Sequence, residues 1–546
     1  MMDVLRKDIV QRLKDAGYLA EEDENDIAVM VSLNEIRLRM ICKLGDFFPY
    51  EIPQVFLSKE MWKLLPAMPH KNTDGSICTF DKSVVIPDFN HPCELVLAVV
   101  EKAEEILKAG LNHKNSADYY DEFLAYWDTT EQESAQLFIE NLSSIKPVYW
   151  VKNESRSIIS DSLEQAVKIN TSSLGNKDNE YIKGIMVPIN ADVSLTIPKN
   201  DIQFIKLIEK HTEFKSDFSK FMQDSILLKR FFVVVSENTE QGNKLFGWLF
   251  YGPGIPNGFR KGHVNLSIAF SQSSQQGKPI RIDDCSQRRL YYRGGDGTVA
   301  AVDNVCIIGC GSIGSFVAEA MLASGTVKYT LVDNEILTYE NIARHYAGFY
   351  WVGKSKVSAI KTNLELHNPN VVCETFFENA FKFIDEKSDT LNKSDLVIIA
   401  VAYAPLEHYI LKAINEGKIS SSVLFVWVEP YAIAGHALLI NHAMDVYEEI
   451  FDKYTLEYQY GVVKNPEKYM KREFGCQSSF MPYSGFAIKE MINSILSAYM
   501  NDYLRSKHNY RFTWCGRLSD ANALGIDIEE RYVSASNNSL EIERLD

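Results

Sequence analysis

The spacing of apolar residues in the first part of the chain predicts a small α+β domain. Residues 3–16 place their apolar side chains on one stripe, as in an amphipathic helix. Residues 27–33 and 35–44 are predicted to be strands, the second with clear alternation, and Asn34 is predicted to be the turn between them. A second helix is predicted over residues 93–109, so helices flank a strand meander.

The stretch from about residue 146 to 290 has the pattern of a β-rich region. Short apolar runs at 231–235, 245–251 and 264–270 predict strands. Residues 201–229 predict a helix, and the polar runs 170–179 and 271–277 predict loops. Because no catalytic constellation stands out, we interpret this stretch as a linker domain that holds the two ends of the chain in register.

The last part of the chain contains a glycine-rich turn between two buried strands. The apolar run 304–308 leads into residues 309–314, which read GCGSIG, and a helical pattern follows to about residue 325. A second apolar run, 329–332, ends in Asp333. Strand, glycine turn, helix and strand with a terminal acid form the βαβ unit that binds a nucleotide. The glycines allow close backbone approach, and the helix N-terminus offers N–H groups to phosphate.

Composition narrows the classes of function. The 546 residues suffice for about three domains. The net charge of −16 disfavours nucleic acid or an anionic membrane as partner. No apolar run approaches the ~20 residues of a membrane span, and no signal peptide is evident, so we expect a cytoplasmic protein. The nine cysteines form no CxxC pair and no His/Cys ligand cluster, so we expect reduced thiols and neither a zinc finger nor a disulfide framework.

Charged and amide side chains after Asp333 extend the glycine motif. Asn341 and Arg344 follow in ENIAR, and Lys356 follows in GKSK. Two cations and an amide suit a triphosphate better than a nicotinamide, whose transferred hydride needs no extra charge neutralisation. From residue 305 to about 370 the sequence resembles the ubiquitin-activating superfamily, including its bacterial sulfur-carrier adenylating members. The resemblance implies an ATP site that consists of Gly309, Gly311, Gly314, Asp333, Asn341, Arg344 and Lys356.

The same resemblance implies two further features of the ATP site. An N-terminal arginine, often donated across a dimer, contacts ATP phosphates in this superfamily; Arg293 is the candidate, and a solvated basic cluster is the alternative. Mg²⁺ would accompany ATP. Where the superfamily has an aspartate at the end of a later strand, counting from Asp395 places Ala402. The metal ligand therefore stays open between Asp333, Asp395 and water.

A cysteine in a polar loop near the C-terminus is the candidate acyl acceptor. Cys476 follows Lys471 and Arg472, which could stabilise a thiolate, and a helix is predicted to begin near residue 486. Its position resembles that of the catalytic cysteine of the activating superfamily, and a structural cysteine is the alternative. The acidic, polar tail beyond Asp527 is interpreted as a mobile segment or a docking strip.

The first domain resembles the ubiquitin-conjugating fold. The resemblance rests on the extended segment 47–57 with its prolines, the loop 69–78 (PHKNTDGSIC) and the helix that follows. It implies that Cys78 is the thioester cysteine. Ungapped alignment places His70 where eukaryotic members have an oxyanion-stabilising asparagine, and an imidazole N–H could donate in the same way. The alternatives are a small buried cysteine and a structural histidine.

Together these patterns predict an α/β and α+β multidomain protein. The predicted domains are a ubiquitin-conjugating-like α+β domain at 1–145, a β-rich linker domain at 146–290 and a Rossmann-like adenylation domain at 291–546. This order resembles the bacterial fusion enzymes of CBASS anti-phage operons.

That resemblance implies a chain of acyl transfers. The enzyme would adenylate the C-terminal tail of a cGAS/DncV-like nucleotidyltransferase, carry it as a thioester on Cys476 and then Cys78, and transfer it to lysines of target proteins. A homodimer is expected. An NAD-dependent oxidoreductase and a scaffold with inactive sites are the alternatives.

Overall fold

The protein forms two compact units, residues 1–285 and 286–546. The structure, a computed structural model, describes residues 2–545 except 34–35, 66–67, 73, 82, 113, 115–122, 128–132, 172–179, 191–196, 240–241, 296–300 and 473–478. The first unit contains the stretch predicted as domain 1–145 and all of the predicted domain 146–290 except its last five residues, 286–290. The predicted turn at Asn34 lies outside the described residues.

The first unit begins with an antiparallel meander between two helices. Its elements are α1 (Met2–Asp15), β1 (Leu19–Asp23), β2 (Asp26–Leu33), β3 (Ile36–Lys43), β4 (Gln54–Leu57), α2 (Lys59–Leu64), β5 (Ser76–Ile77) and α3 (Pro92–Leu111). The five strands pair in sequence order. Ile9 and Leu13 of the predicted apolar stripe are fully buried, and they share one core with the sheet and with Val96 and Val100 of α3. The predicted helix–meander–helix is confirmed.

A closed seven-stranded barrel makes up the rest of the first unit. Its strands are β6 (Glu133–Phe138), β7 (Lys146–Lys152), β8 (Ser157–Ser160), β9 (Glu180–Ile189), β10 (Arg230–Thr239), β11 (Gly242–Tyr251) and β12 (Lys278–Asp284), in the spatial order β10-β11-β12-β6-β8-β7-β9. The helices are α4 (Phe123–Trp127), α5 (Leu163–Thr171), α6 (Asp201–His211), α7 (Lys215–Ser225) and α8 (Leu266–Ser271). Successive residues of β10, such as Phe231 and Phe232, enter two different cores, as the period of a strand requires.

Two predictions in this region are wrong in detail. Residues 264–270 do not form a strand. Asn265 accepts a hydrogen bond from the N–H of Ile268 (3.1 Å) and thereby starts α8. The helix predicted over 201–229 is two helices. Thr212 separates them, because its backbone is extended and its hydroxyl donates to the carbonyl of Pro188 (2.8 Å).

The second unit is a three-layer α/β domain around an eight-stranded sheet. The strands are β13 (Asn304–Ile308), β14 (Lys328–Val332), β15 (Val372–Phe376), β16 (Leu396–Ile399), β17 (Val423–Val428), β18 (Ala434–Ile440), β21 (Tyr510–Cys515) and β22 (Ser539–Arg544). Their order is β15-β14-β13-β16-β17-β18-β21-β22, with the first five parallel and the last three antiparallel to their neighbours. The chain leaves β13 in one direction and returns on its other side, so a ligand crevice is expected at the carboxyl end of β13.

Helices cover both faces of this sheet. They are α9 (Gln287–Gly294), α10 (Ser312–Ala323), α11 (Lys356–His367), α12 (Ala380–Glu386), α13 (Ser388–Leu391), α14 (Ala404–Asn415), α15 (Val446–Glu449), α16 (Gly485–Ala498) and α17 (Ala521–Leu524). One core contains residues of α10, α11 and α16, and the other contains residues of α12 and α14. The predicted fold class is confirmed. None of the described helices is long and apolar enough to cross a membrane.

The last part of the C-terminal tail is a paired strand, so the alternative of a mobile segment is wrong there and the alternative of a docking strip stays a prediction. Residues Ser539–Arg544 pair with Tyr510–Cys515 as β22. Leu540 and Ile542 pack against the core, whereas Glu541 and Glu543 are exposed. The polar residues of this segment therefore lie on the solvent-exposed face of an edge strand.

Candidate functional site

The glycine turn has the geometry that the sequence predicts. Gly309 follows β13 with φ of +92°, a conformation that glycine adopts without steric cost. A Cβ on Gly309 would lie 2.7 Å from the carbonyl oxygen of Ala400, and a Cβ on Gly314 would lie 1.8 Å from that of Gly309. At Gly311, by contrast, the space is open. Two of the glycines thus close the turn on itself, and the third leaves its outer side free.

Asp333 ends β14 beside this turn. Its Oδ2 accepts the N–H of Cys310 (2.7 Å) and its Oδ1 accepts the N–H of Glu335 (2.7 Å). Burial raises the pKa of the carboxyl, while these hydrogen bonds and the charge of Lys356 act in the opposite direction. The acid predicted to bind a ribose therefore also fixes the backbone of the turn, a role that the sequence did not indicate.

Lys356 lies next to the turn at the first position of α11. Its side chain is buried and forms an ion pair with Glu335. Its charge contributes to the pKa values of Asp333, Cys310 and His345, in each case behind burial as the main cause. The structure thus brings together the glycine turn, Asp333 and one of the two predicted cations.

Arg344 is held by the segment that precedes α16. Its Nη1 donates to the carbonyl of Met481 (2.9 Å), and its guanidinium lies over the ring of Tyr483, 4.4 Å from the centroid. Gly485 allows this packing, because a Cβ there would lie 2.9 Å from the carbonyl oxygen of Ala343. An arginine has five N–H donors in a rigid fork. The contact with Met481 uses one N–H, which leaves capacity for a phosphate.

His345 is a site residue that the sequence analysis missed. It is 6% exposed; its Nε2 lies 2.9 Å from the carbonyl oxygen of Cys310, and its Nδ1 accepts the N–H of Ala347 (2.9 Å). Burial lowers its pKa to about 4, so the ring is neutral and its proton resides on Nε2. His345 thereby ties the turn to the segment that carries Arg344. A histidine directly after the predicted arginine was the available signal.

Three other candidate residues are positioned by contacts other than those of the glycine turn. Asn341 caps its own 3₁₀ turn, Tyr339–Arg344, by accepting the N–H of Thr338 (3.0 Å). Arg293 is exposed on α9, whose Gln287 and Tyr291 bind the carbonyls of Gly325 and Leu322 at the far end of α10. At 1.5 Å per residue, the twelve residues of α10 put that end about 18 Å from the turn.

Asp395 is the third, and as a candidate magnesium ligand it is wrong. Its Oδ2 accepts the N–H groups of Asp303 (3.0 Å) and Asn304 (2.9 Å), at the amino end of β13. The nucleotide turn lies at the opposite, carboxyl end of the same strand. Among the residues that the structure describes, no group of three or more His, Cys, Asp or Glu side chains could hold a metal ion.

The residues at the turn fit the phosphates of ATP. The hydroxyl of Ser312, at the first position of α10, is buried and has no hydrogen-bond partner. A buried hydroxyl at a helix N-terminus suits a phosphate oxygen, which the free N–H groups and the helix dipole also favour. Lys356 supplies positive charge beside the turn, and Arg344 lies on the segment that His345 ties to the turn. Cys306 and Cys310 are fully buried, and burial raises the pKa of the Cys310 thiol, so they are packing residues.

In the first unit, Cys78 directly follows β5 and is exposed. Its N–H donates to the carbonyl of His70 (2.9 Å), so the two residues are adjacent across the loop. His70 has φ of +65° and is half-buried. Gly75 turns the chain between them, with φ of +92°. Because Cys78 is exposed, the alternative of a small buried cysteine is excluded.

Cys476 lies outside the described residues. Two short strands flank it in the sequence and pair in antiparallel orientation: β19 (Lys471–Arg472) and β20 (Ser479–Phe480). Lys471 also lies over the ring of Tyr431, 5.6 Å from its centroid. Catalytic assignment of Cys476 stays a prediction.

Comparisons with known families match both ends of the chain. Residues 13–136 match prokaryotic E2 family B, and residues 297–512 match the ThiF family. The chain is 21% identical over 465 residues to the ATP-dependent ubiquitin transferase-like protein Cap2 of Pseudomonas aeruginosa, an alignment that covers 80% of this chain and 79% of that protein.

Other matches cover a smaller part of the chain. The tRNA threonylcarbamoyladenosine dehydratase of Haemophilus influenzae is 32% identical over 131 residues, which are 22% of this chain and 48% of that protein. A crystal structure of PaaA is 18% identical with a TM-score of 0.30 and covers 45% of this chain and 65% of its own. A crystal structure of E. coli MccB with ATP is 13% identical with a TM-score of 0.28, and the match covers 44% of this chain and 64% of that one.

Proposed function

We propose that this chain, which joins an E2-like domain of prokaryotic E2 family B to a ThiF-family domain, is an ATP-dependent ubiquitin-transferase-like enzyme of antiviral defence. It links the C-terminal carboxyl of one protein to amines of others. The observation that carries the proposal is the presence, on one chain, of the exposed Cys78 within the E2-like match and of a glycine turn with the buried Lys356 beside it.

The second unit performs the activation, because a carboxylate is a poor electrophile until one oxygen becomes a leaving group. A substrate carboxylate oxygen attacks the α-phosphorus of ATP, an acyl-adenylate forms, and pyrophosphate leaves. The turn N–H groups and Ser312 hold phosphate oxygens, and Asp333 holds the ribose. Arg344 and Lys356 neutralise the charge that develops on the departing pyrophosphate.

Two cysteines then carry the acyl group. The thiolate of Cys476 attacks the adenylate carbonyl and AMP leaves, so a thioester forms. The thiolate of Cys78 displaces Cys476 by thiol exchange, and a lysine amine of the target displaces Cys78 to give an amide. No metal or organic cofactor is needed for these steps, since sulfur is both nucleophile and leaving group. His70, next to Cys78, is the proposed donor to the oxyanion of the tetrahedral intermediates.

The proposed partners follow from the resemblance to CBASS fusion enzymes. The activated tail is that of a cGAS/DncV-like nucleotidyltransferase, and the acceptors are lysine-bearing proteins. The active form is a homodimer in which Arg293 of one protomer reaches the ATP of the other. The support for this arrangement is that α9 is anchored far from the turn of its own protomer.

The test is to trap each intermediate. The protein is incubated with ATP, Mg²⁺ and a cGAS/DncV-like nucleotidyltransferase, and reducible adducts are located by mass spectrometry. We expect Cys476→Ala to retain ATP–pyrophosphate exchange without any adduct, and Cys78→Ala to keep an adduct on Cys476 without conjugates. Cys93→Ala, a half-buried cysteine in the same domain as Cys78, is the matched control and should behave as wild type. Exchange without adducts would contradict the thioester steps, and no exchange would contradict adenylation.

A further inference from the structure

The carboxyl ends of β13 and β16 form the two walls of one crevice. The strands are parallel neighbours, so the segments that follow them lie at the same edge of the sheet. The glycine turn follows β13, and residues 400–403 follow β16. Ala400 and Val401 of the latter segment lie against Gly309. Because ligands of open α/β sheets bind between strands from which the chain leaves in opposite directions, both segments border the proposed nucleotide site.

Ala402 leaves this second wall without an acid where the ubiquitin-activating superfamily has an aspartate. Its φ is +51°, in the left-handed region, which asparagine and aspartate enter more readily than alanine does. The backbone would therefore accept an aspartate at this position, and strain does not account for its absence. A divalent cation that accompanies ATP here needs an acid from another position.

Acids are scarce in the segments that border the crevice. Residues 309–315, 333–335 and 400–407 contain three: Asp333, Glu335 and Glu407. Glu335 forms an ion pair with Lys356. Asp333 accepts two backbone N–H groups, at 2.7 Å each, and thereby fixes the turn. Glu407 accepts one backbone N–H, that of Tyr403, so it keeps the most capacity for a cation.

The hydrogen bond to Tyr403 also places the carboxylate of Glu407. Glu407 lies in the first turn of α14, and the side chains of a helix point back toward its N-terminus. The carboxylate thus lies at the backbone of the residue that follows Ala402. Two peptide units, at most about 8 Å between Cα atoms, separate Tyr403 from Val401, which lies against the glycine turn. Burial raises the pKa of Glu407 to about 7, and no cation of the described residues offsets this rise.

We propose that Glu407 binds the Mg²⁺ ion that accompanies ATP, in place of the acid that is absent at Ala402. Mg²⁺ prefers oxygen ligands and is usually held by one or two carboxylates together with substrate phosphates and several waters. One carboxylate next to the phosphates is therefore enough, and a cluster of acids is not required. The inference rests on the proposed function, because it takes the ligand of the glycine turn to be ATP.

The test compares the binding of a non-hydrolysable ATP analogue to the full chain with Mg²⁺ and with EDTA, by calorimetry. We expect Mg²⁺ to strengthen binding to the wild type. Glu407→Gln keeps an acceptor for the Tyr403 N–H but loses the charge. It should lose at least about tenfold in affinity with Mg²⁺ and nothing with EDTA, because even the partners of metal ligands contribute about 10- to 100-fold. Electron paramagnetic resonance with Mn²⁺ gives a second readout, since the spectrum of the bound ion changes when a protein ligand is lost.

Two variants locate the effect. Glu416→Gln, which removes an exposed acid at the other end of α14, is the matched control and should behave as the wild type does. Ala402→Asp combined with Glu407→Gln should restore the gain from Mg²⁺, because aspartate tolerates the φ of this position.

Four results overturn the inference: no gain from Mg²⁺ in the wild type, an unchanged gain in Glu407→Gln, an equal loss in Glu416→Gln, or no recovery in the double variant. An analogue that fails to bind the wild type under both conditions contradicts the proposed function instead.

Discussion

Alanine substitutions at two glycines of the same turn separate folding from nucleotide binding. At Gly314 the added Cβ would lie 1.8 Å from the carbonyl oxygen of Gly309 and 3.3 Å from Ile307 Cγ2. The first neighbour is backbone, which cannot rotate away. Overpacking of this kind costs about 1–3 kcal/mol. For a domain of this size each kcal/mol lowers the melting midpoint by roughly 2–4 °C, so we expect Gly314→Ala to lower it by roughly 2–12 °C.

Gly311→Ala should act on binding instead. No atom lies within 4 Å of its Cβ position, so the fold has room for the methyl group. As the N-cap of α10, alanine costs about 0.5–1 kcal/mol relative to glycine. If phosphate approaches this backbone, the methyl group takes its place, and we expect binding of a non-hydrolysable ATP analogue to fall by at least tenfold.

Differential scanning calorimetry and binding calorimetry on the two variants give the answer. Gly348→Ala is the control, since its Cβ also meets open space and its φ is negative. The reasoning is refuted if Gly314→Ala melts with the wild type, because the turn would then not be closed as described. It is refuted equally if Gly311→Ala binds the nucleotide as well as the Gly348→Ala control.

Three further changes test individual contacts. Tyr483→Ala should weaken ATP binding about two- to fivefold in calorimetry, because it removes a cation–π contact of about 0.5–1 kcal/mol that orients Arg344. The control Tyr483→Phe keeps the ring and should bind ATP as the wild type does. Tighter binding by Tyr483→Ala would mean that the contact holds Arg344 away from phosphate. Glu407→Gln should flatten the pH dependence of the free energy of unfolding. With its pKa raised from 4.5 to about 7, Glu407 contributes up to roughly 3 kcal/mol of stability below pH 4.5, and this contribution is lost as pH rises through 7. An unchanged pH profile in urea titrations would contradict this. Glu429→Ala should cost about 3–5 kcal/mol in the same titrations, because it leaves two backbone N–H groups and His436 without their buried acceptor; a cost as small as that of the exposed Glu541→Ala would argue against it.

The nucleotide turn could be predicted from sequence because every local signal agrees there. A buried run, glycines at fixed spacing, a helical pattern and a terminal acid each point to the same unit, and Gly309 to Asp333 are placed accordingly. The exposed position of Cys78 could likewise be expected, because its loop combines a turn glycine with a strand end, whereas its catalytic role stays a prediction.

Most of the failures depend on residues distant in sequence, whereas the failure at 264–270 has a local cause. The run 264–270 is too short for its period to distinguish strand from helix, and the cap by Asn265 decided it. The local sequence of Ser539–Arg544 does not indicate its partner, because that strand ends 24 residues earlier along the chain. Asp395 was one of the alternatives for the Mg²⁺ ligand, and its contacts with Asp303 and Asn304, across to the neighbouring strand, show that it lies at the amino end of β13. His345 was overlooked because its partner, Cys310, is 35 residues away.

Closure of the barrel has a consequence for how the chain meets other polypeptides. Sheet edges offer unpaired N–H and C=O groups to any extended segment, and proteins that handle such segments run the risk of capturing them by strand addition. In the described part of the chain, the seven barrel strands each have two neighbours, so this sheet presents no such template. At one margin of the second unit, the exposed carboxylates of Glu541 and Glu543 on β22 keep another strand from docking alongside. Strand addition is thereby disfavoured at the barrel and at β22, whereas β1, β5 and β15 end their sheets with a single strand neighbour among the described residues.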